Sequence, residues 1–382
     1  MVYVERGRGS RMKPSLLGFE IVKPTLLVDK QKVLKNIERM AGKARASGVR
    51  FRPHFKTHQS AEIGNWFRDF GVEAITVSSL DMAGYFAGHG CTDITVAFIA
   101  NLPEIDKINH LAGTVNLNLL VDSEQVLSDL DKRLKHPVGM WIKVDTGYHR
   151  TGVAWDDFDT IRALAQRSKD SPRLNFRGLL THAGHAYKAA DVSGILKIHV
   201  DTLLRMAVGK EHLEMNGIDA CEISIGDTPT CSLVDDFTGV DEIRPGNFVF
   251  YDLMQEKLQT CTEDQIAVAV ACPVVGKYKD RNQIVVYGGA VHLSLASIPD
   301  KNGQPIFGYL TSLQDGTFGP IDRRAPVISL SQEHGIIQVD AIPVRKIEVG
   351  DSLLVFPVHS CLTCECYDQY RTFKGDAISR RR

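Results

Sequence analysis

Eight short apolar runs separated by helical stretches constrain this chain more than any other feature. They fall at about 49–54, 74–78, 93–99, 116–121, 139–145, 176–182, 220–225 and 242–245. A preceding run, Thr25-Leu26-Leu27-Val28, leads into an amphipathic stretch at 30–46 with Val33, Leu34, Ile37 and Met40 at helical spacing. Parallel neighbours need a crossover between them and are buried on both faces, so this alternation is what a (β/α)8 barrel requires. A doubly wound sheet is the alternative. Beyond about residue 258 the texture changes, and 266–275, 283–287, 326–330 and 352–356 are β-rich with Gly and Pro turns. The expected fold class is α/β, an N-terminal TIM barrel followed by a C-terminal β domain. The expected divisions are an arm and lead-in at 1–23, a barrel at 24–258 and a β domain at 259–382.

The balance of 45 Lys+Arg against 46 Asp+Glu gives a net charge of -1 and no attraction for a polyanion such as nucleic acid. A small-molecule substrate is expected instead. No run approaches the length of a membrane span, and Met1-Val2-Tyr3-Val4-Glu5-Arg6 lacks the apolar centre of a signal peptide. A cytoplasmic protein without a membrane partner is the expectation. The 8 cysteines are scattered from Cys91 to Cys366, unlike the regular framework of a small secreted domain, and are expected as reduced thiols.

In a barrel the chemistry gathers where strands end at their carboxyl side. Lys56 lies there in Arg52-Pro53-His54-Phe55-Lys56-Thr57-His58, where a Schiff base to an aldehyde cofactor would be placed. Arg150 follows the fifth run in Lys143-Val144-Asp145-Thr146-Gly147-Tyr148-His149-Arg150, placed to hold a phenolate oxygen. His182, His185 and Tyr187 follow the sixth, a dense set of proton-transfer groups for one loop, against the plainer reading of a solvated turn. After the seventh run, Gly226-Asp227-Thr228-Pro229-Thr230 resembles a helix start whose free amides bind phosphate. A carboxylate beside a phosphate is repulsive, so Asp227 must turn its side chain away. Arg244-Pro245-Gly246-Asn247 after the eighth run adds a second glycine turn, and the two loops together make a phosphate cup.

Near the other end, His359-Ser360-Cys361 supplies an imidazole and a thiolate two residues apart. Zn2+ accepts both, and two protein ligands leave positions open for substrate. Cys361-Leu362-Thr363-Cys364-Glu365-Cys366 keeps two other readings open, a structural zinc and a redox pair.

Taken together, from about Pro24 to Tyr370, these motifs resemble the D-threonine aldolase and D-serine dehydratase family of alanine-racemase-like pyridoxal phosphate enzymes. The resemblance implies that Lys56 carries the cofactor as a Schiff base and that Arg150 lies near its phenolic oxygen. It implies that Tyr187, Gly226, Thr228, Gly246, Asn247 and Tyr251 line the cofactor pocket and that His359 and Cys361 are metal ligands. His58, His182 and His185 are candidates for a supporting shell. The implied assembly is a homodimer in which the β domain of one chain completes the active site of the other. The implied activity is a metal-dependent lyase on D-β-hydroxy amino acids. Dehydratase chemistry is favoured, because a thiolate suits zinc better than the harder ions associated with aldolases. Aldolase, racemase and non-catalytic carrier of the cofactor are the other readings, in that order.

Overall fold

The computed structural model describes Leu17, residues 19–339 and residues 346–381. Of the expected arm and lead-in at 1–23, residues 1–16 and Gly18 lie outside the described residues. The chain divides into two compact units, residues 38–248 and residues 1–37 together with 249–382. That division differs from the boundaries expected at 24 and 258.

Residues 38–248 hold a parallel ladder of eight strands, one at each of the eight apolar runs, with a short ninth strand, Val153–Ala154, paired to the end of the fifth. The eight are Arg50–Phe51, Ala74–Val77, Asp93–Ile99, Asn116–Val121, Val138–Asp145, Leu174–Leu180, Glu222–Ile225 and Glu242–Ile243. The first pairs with the eighth and the ladder continues in reverse order to the second. A parallel bridge between His54 and Thr76 joins the first strand to the second. There the Phe55 amide donates to the Thr76 carbonyl at 2.8 Å, and the Thr76 amide to that of Pro53 at 2.9 Å. The parallel sheet is thereby a nearly closed barrel, as the pattern predicted.

Local chemistry starts the intervening helices. Ser60, Ser79, Ser123, Asp157, Asp191 and Asp227 each accept a backbone amide two or three positions into the next helix. Each cap of this kind stabilises a helix by about 1 kcal/mol and fixes where the loop after a strand ends. Inside the unit, Leu120, Trp141 and Leu180 form an apolar cluster against Ala97 and Ile99. The fully buried Glu242 accepts from Arg50 and Arg52 at 2.6 Å each and from Ser224 at 2.8 Å, while Arg52 also holds Asp93 at 2.6 Å. Burying charges is costly unless they are paired in this way.

The other unit is antiparallel. Six strands, Val268–Tyr278, Gln283–Tyr287, His334–Gln338, Asp322–Leu330, Gly308–Thr311 and Ser352–Pro357, pair in that order and return to the first as a closed ring. The long strand Val268–Tyr278 makes closure possible, since its second half pairs with Gln283–Tyr287 and its first half with Ser352–Pro357, while Thr25–Val28 pairs with that first half on its other edge. Thr25–Val28, expected to introduce the barrel, therefore belongs to the β sheet. Its pairing residues are remote in sequence, and a four-residue apolar run carries no mark of which sheet it joins. Gln369–Arg371 and Ala377–Ser379 extend the same sheet.

Candidate active site

Lys56 ends the segment that bridges the first two barrel strands. Its side chain is exposed, and its backbone amide lies 3.3 Å from the His54 ring nitrogen Nδ1, which accepts the bond. Burial holds His54 well below its ordinary range, and the charges of Lys56, Arg244 and His182 push the same way. His182 is lowered to about 3 by burial, with Lys56, Arg150 and Arg244 adding to the effect. Lys56 and Arg244 thus act on both imidazoles, and Arg150 acts on His182.

The loop after the fifth strand is built around one carboxylate. Asp145 accepts the amides of Gly147, Tyr148 and His149 at 2.9, 2.9 and 3.0 Å. Gly147 and Gly152 have φ of +114° and +113°, conformations that favour glycine. Arg150 emerges exposed, with its guanidinium 5.0 Å from the centre of the Tyr148 ring, and has no ion pair among the described residues. A guanidinium without an ion pair, acting on His182 as Lys56 does, suits an anionic oxygen of a ligand.

The phosphate cup expected from two loops has a physical basis in close backbone approach. A Cβ at Gly226 would lie 2.7 Å from the Arg244 backbone nitrogen, and one at Gly246 would lie 2.8 Å from the His54 carbonyl. Only glycine lets these loops sit so near their neighbours. Asp227 turns back on its own helix and accepts from the Thr230 amide and hydroxyl at 2.8 Å each, as its repulsion from phosphate required. Burial raises its carboxyl to about 6. The Thr228 amide donates to the Tyr187 hydroxyl at 3.2 Å, whereas the Thr228 hydroxyl is buried with no hydrogen-bond partner among the described residues. That orphaned hydroxyl, with Gly226 and Gly246 beside it, fits an oxygen-rich ligand. The residues present therefore fit pyridoxal phosphate, with Lys56 for its aldehyde, Arg150 for its phenolic oxygen and this cup for its phosphate.

His182 donates from Nδ1 to the Gly226 carbonyl at 2.6 Å, which leaves Nε2 as the acceptor of the neutral ring. His185 stacks on Tyr148 with ring centres 6.3 Å apart. His58 is different. It is buried among Phe55, Phe67 and Phe86 and is lowered to about 3 by burial, so its surroundings are an aromatic core. Asn247 is buried in the barrel unit, and Tyr251 is buried in the other unit with φ of 49°.

The His359 and Cys361 side chains meet in the β unit, where His359 precedes the helix Ser360–Glu365. Burial opposes a charge on His359, but Cys361 and Asp252 outweigh it and raise the imidazole to about 10. Asp252 is fully buried, lies 3.4 Å from His359 Nδ1, and accepts the amides of Ser360 at 2.8 Å and Gln255 at 3.0 Å. A carboxylate behind one ring nitrogen is what orients a metal-ligating histidine through the other. The donor set thus fits a metal that takes nitrogen and sulfur. Among the described residues no group of three or more His, Cys, Asp or Glu side chains could hold a metal ion. Burial holds the Cys364 thiol well above its ordinary range, and Cys366 donates to the Leu362 carbonyl at 3.5 Å.

Sequence reasoning passed over two groups. Lys143 is a buried lysine at the end of the fifth strand, brought to about 7 by burial together with Arg244. Its signal was a single charge inside the run Trp141-Ile142-Lys143-Val144. Asp252 gave no signal, since its partner His359 lies far along the chain.

The family model described as "Alanine racemase, N-terminal domain" matches residues 28–253, and that described as "Putative serine dehydratase domain" matches residues 267–373. D-threo-3-hydroxyaspartate dehydratase of Delftia sp. HT23 is 28% identical, over 92% of this chain and 94% of its own. Its solved structure covers 96% of this chain and 99% of its own with a TM-score of 0.89. D-serine dehydratase of Dictyostelium discoideum is 29% identical, covering 92% and 93%. Further off, 3-hydroxy-D-aspartate aldolase of Paracoccus denitrificans (strain Pd 1222) is 24% identical, covering 94% and 90%. No helix among the described residues is long and apolar enough to cross a membrane. With a parallel barrel presenting Lys56 and a match over more than half its length, the chain belongs to the alanine racemase N-terminal domain family, in an arrangement whose relatives are lyases.

Proposed function

We propose that this chain is a pyridoxal phosphate- and metal-dependent lyase of D-β-hydroxy amino acids, and that it eliminates water to give a 2-keto acid and ammonia. The observation that carries the reading is the convergence of His359 and Cys361 in front of Asp252, in a chain whose barrel presents Lys56. Solved variants of D-threo-3-hydroxyaspartate dehydratase support it. One has a histidine replaced by alanine, and another, metal-free, has a cysteine two positions further on replaced. That spacing is the spacing of His359 and Cys361.

Pyridoxal phosphate, when bound, supplies the electron sink that stabilises negative charge at the substrate α-carbon, and a divalent metal the Lewis acidity that makes a β-hydroxyl a better leaving group. The residues of the chain do the rest. Lys56, as a free amine, takes the α-proton. Arg150 holds the phenolic oxygen of the cofactor, and Tyr187, Gly226, Thr228, Gly246 and Asn247 hold its phosphate end, with Tyr251 a further lining residue. His182, fixed by the Gly226 carbonyl, offers an acceptor nitrogen and no charge. His359 and Cys361 hold the metal, and this imidazole and thiolate pair favours Zn2+. The unit that carries them completes the active site in a homodimer of cytoplasmic chains.

Retro-aldol cleavage to glycine and an aldehyde is the second reading, and the likeness to an aldolase supports it. The test is to load the purified protein with pyridoxal phosphate and Zn2+, supply D-serine, D-threonine and D-threo-3-hydroxyaspartate separately, and identify products by mass spectrometry. A 2-keto acid with ammonia is expected. Glycine with an aldehyde would move the chain to aldolase chemistry, and turnover that survives verified metal removal would overturn both.

A further inference from the structure

We propose that Cys361 and Cys364 form a thiol–disulfide switch, closed by a hydroperoxide, that withdraws Cys361 from the metal. The withdrawal rests on the reading of Cys361 as a ligand; the disulfide does not.

Both thiols stand on the helix Ser360–Glu365, three residues apart. Regular helical geometry puts Cα atoms at that spacing about 5 Å apart, inside the range of about 4.4–6.8 Å that a disulfide spans. Cys361 is partly exposed, where an oxidant reaches it, whereas Cys364 is 1% exposed and hydrogen-bonded to Tyr370. The helix between them is anchored at two points. The Ser360 amide donates to Asp252 at 2.8 Å, and the Thr363 hydroxyl to the Leu293 carbonyl at 3.0 Å. Cys366 is not placed for the same role. It lies five residues from Cys361, on a different face of the turn, and points back at Leu362. A bridge needs the two Cβ atoms within about 4 Å, so closing it draws Cys361 toward Cys364 and away from His359.

The chemistry balances in two steps. The Cys361 thiolate attacks one oxygen of the hydroperoxide, giving a sulfenic acid and releasing hydroxide or alkoxide. The Cys364 sulfur then attacks the Cys361 sulfur, the S–O bond breaks, and the thiol proton leaves with the hydroxyl as water. Two electrons pass from the thiol pair to the peroxide. A dithiol reverses the bond by exchange.

The experiment treats the full-length, metal-loaded chain with hydrogen peroxide and records intact mass without reductant, while a chromophoric chelator reads released metal. The mass is expected to fall by about 2 Da as two hydrogens leave, metal release to keep pace with it, and dithiothreitol to restore both. Cys366→Ala should behave as the native chain does. Cys364→Ala, expected to retain metal and turnover before treatment, should gain mass as sulfenic acid and show no loss. A native chain that never loses mass, or a loss that persists in Cys364→Ala, overturns the switch. Mass loss with metal still bound instead overturns the ligand role of Cys361 and leaves the disulfide standing.

Discussion

The hydroxyl of Tyr187 accepts the backbone amide of Thr228 at 3.2 Å, so the loop after the sixth barrel strand completes the helix start after the seventh. Tyr187→Phe leaves that amide without its partner. The expected result is cofactor affinity reduced about tenfold, equivalent to about 1.4 kcal/mol, with kcat at saturating cofactor nearly unchanged. Equilibrium dialysis of pyridoxal phosphate checks it. An unchanged dissociation constant would remove Tyr187 from the cup.

Asp227 makes the stability of the barrel depend on pH in an unusual direction. Its carboxyl is raised from 3.8 to about 6, so the folded chain binds this proton more tightly than the unfolded one. The contribution is full below the ordinary carboxylate value and is lost as pH rises through 6, a cost of about 3 kcal/mol at neutrality. Asn caps helices as well as Asp does. Asp227→Asn should therefore be more stable than the native chain at pH 8, with the advantage shrinking between pH 6 and 4. Denaturant midpoints across that window decide it, and a constant difference would show that Asp227 does not titrate there.

Asp252 reaches the proposed metal site through His359 and the turn around it. Asp252→Asn keeps an acceptor but removes the charge, and metal affinity should fall about 10–100-fold. Competition with a chromophoric chelator measures this directly. Cofactor absorbance, which reports on Lys56, should not move.

Gly226 is held by contact with Arg244, and its φ is not in the left-handed region. Gly226→Ala places a methyl 2.7–2.9 Å from the Arg244 backbone. The expected destabilisation is about 1–3 kcal/mol, a fall in midpoint of roughly 2–10 °C for a domain of this size. Gly217→Ala is the control, since nothing lies within 4 Å of its added Cβ, although its φ of +76° adds local strain. A drop at Gly226 smaller than that at Gly217 would show that crowding against Arg244 costs less than the strain of a positive φ.

The barrel strands were legible because parallel strands buried on both faces appear as continuous apolar runs, such as Asn116–Val121 and Val138–Asp145. The β unit was less so. Gly308–Thr311 and His334–Gln338 are short and were not among the β-rich runs named from the sequence, since what makes them strands is their pairing with remote partners. Lys56, Arg150 and Gly226 could be named because each follows a recognisable run. His58 shows the limit of that method. It stands two residues from Lys56, yet the next turn of chain delivers it into Phe55, Phe67 and Phe86, an environment set by side chains that the local sequence does not reveal.

The strand Thr25–Val28 has a consequence for how the protein is made. Its partner begins at Val268, which pairs with Val28. At about 5–20 residues per second the ribosome needs roughly 12–50 s to deliver that partner. Every barrel strand emerges during that wait, so the barrel can assemble while Leu26 and Leu27, both buried in the finished protein, still lack their antiparallel neighbour. The nascent chain therefore carries an unmatched sticky edge for most of its synthesis, and chaperone demand should track the interval between these two segments more closely than the difficulty of folding either unit.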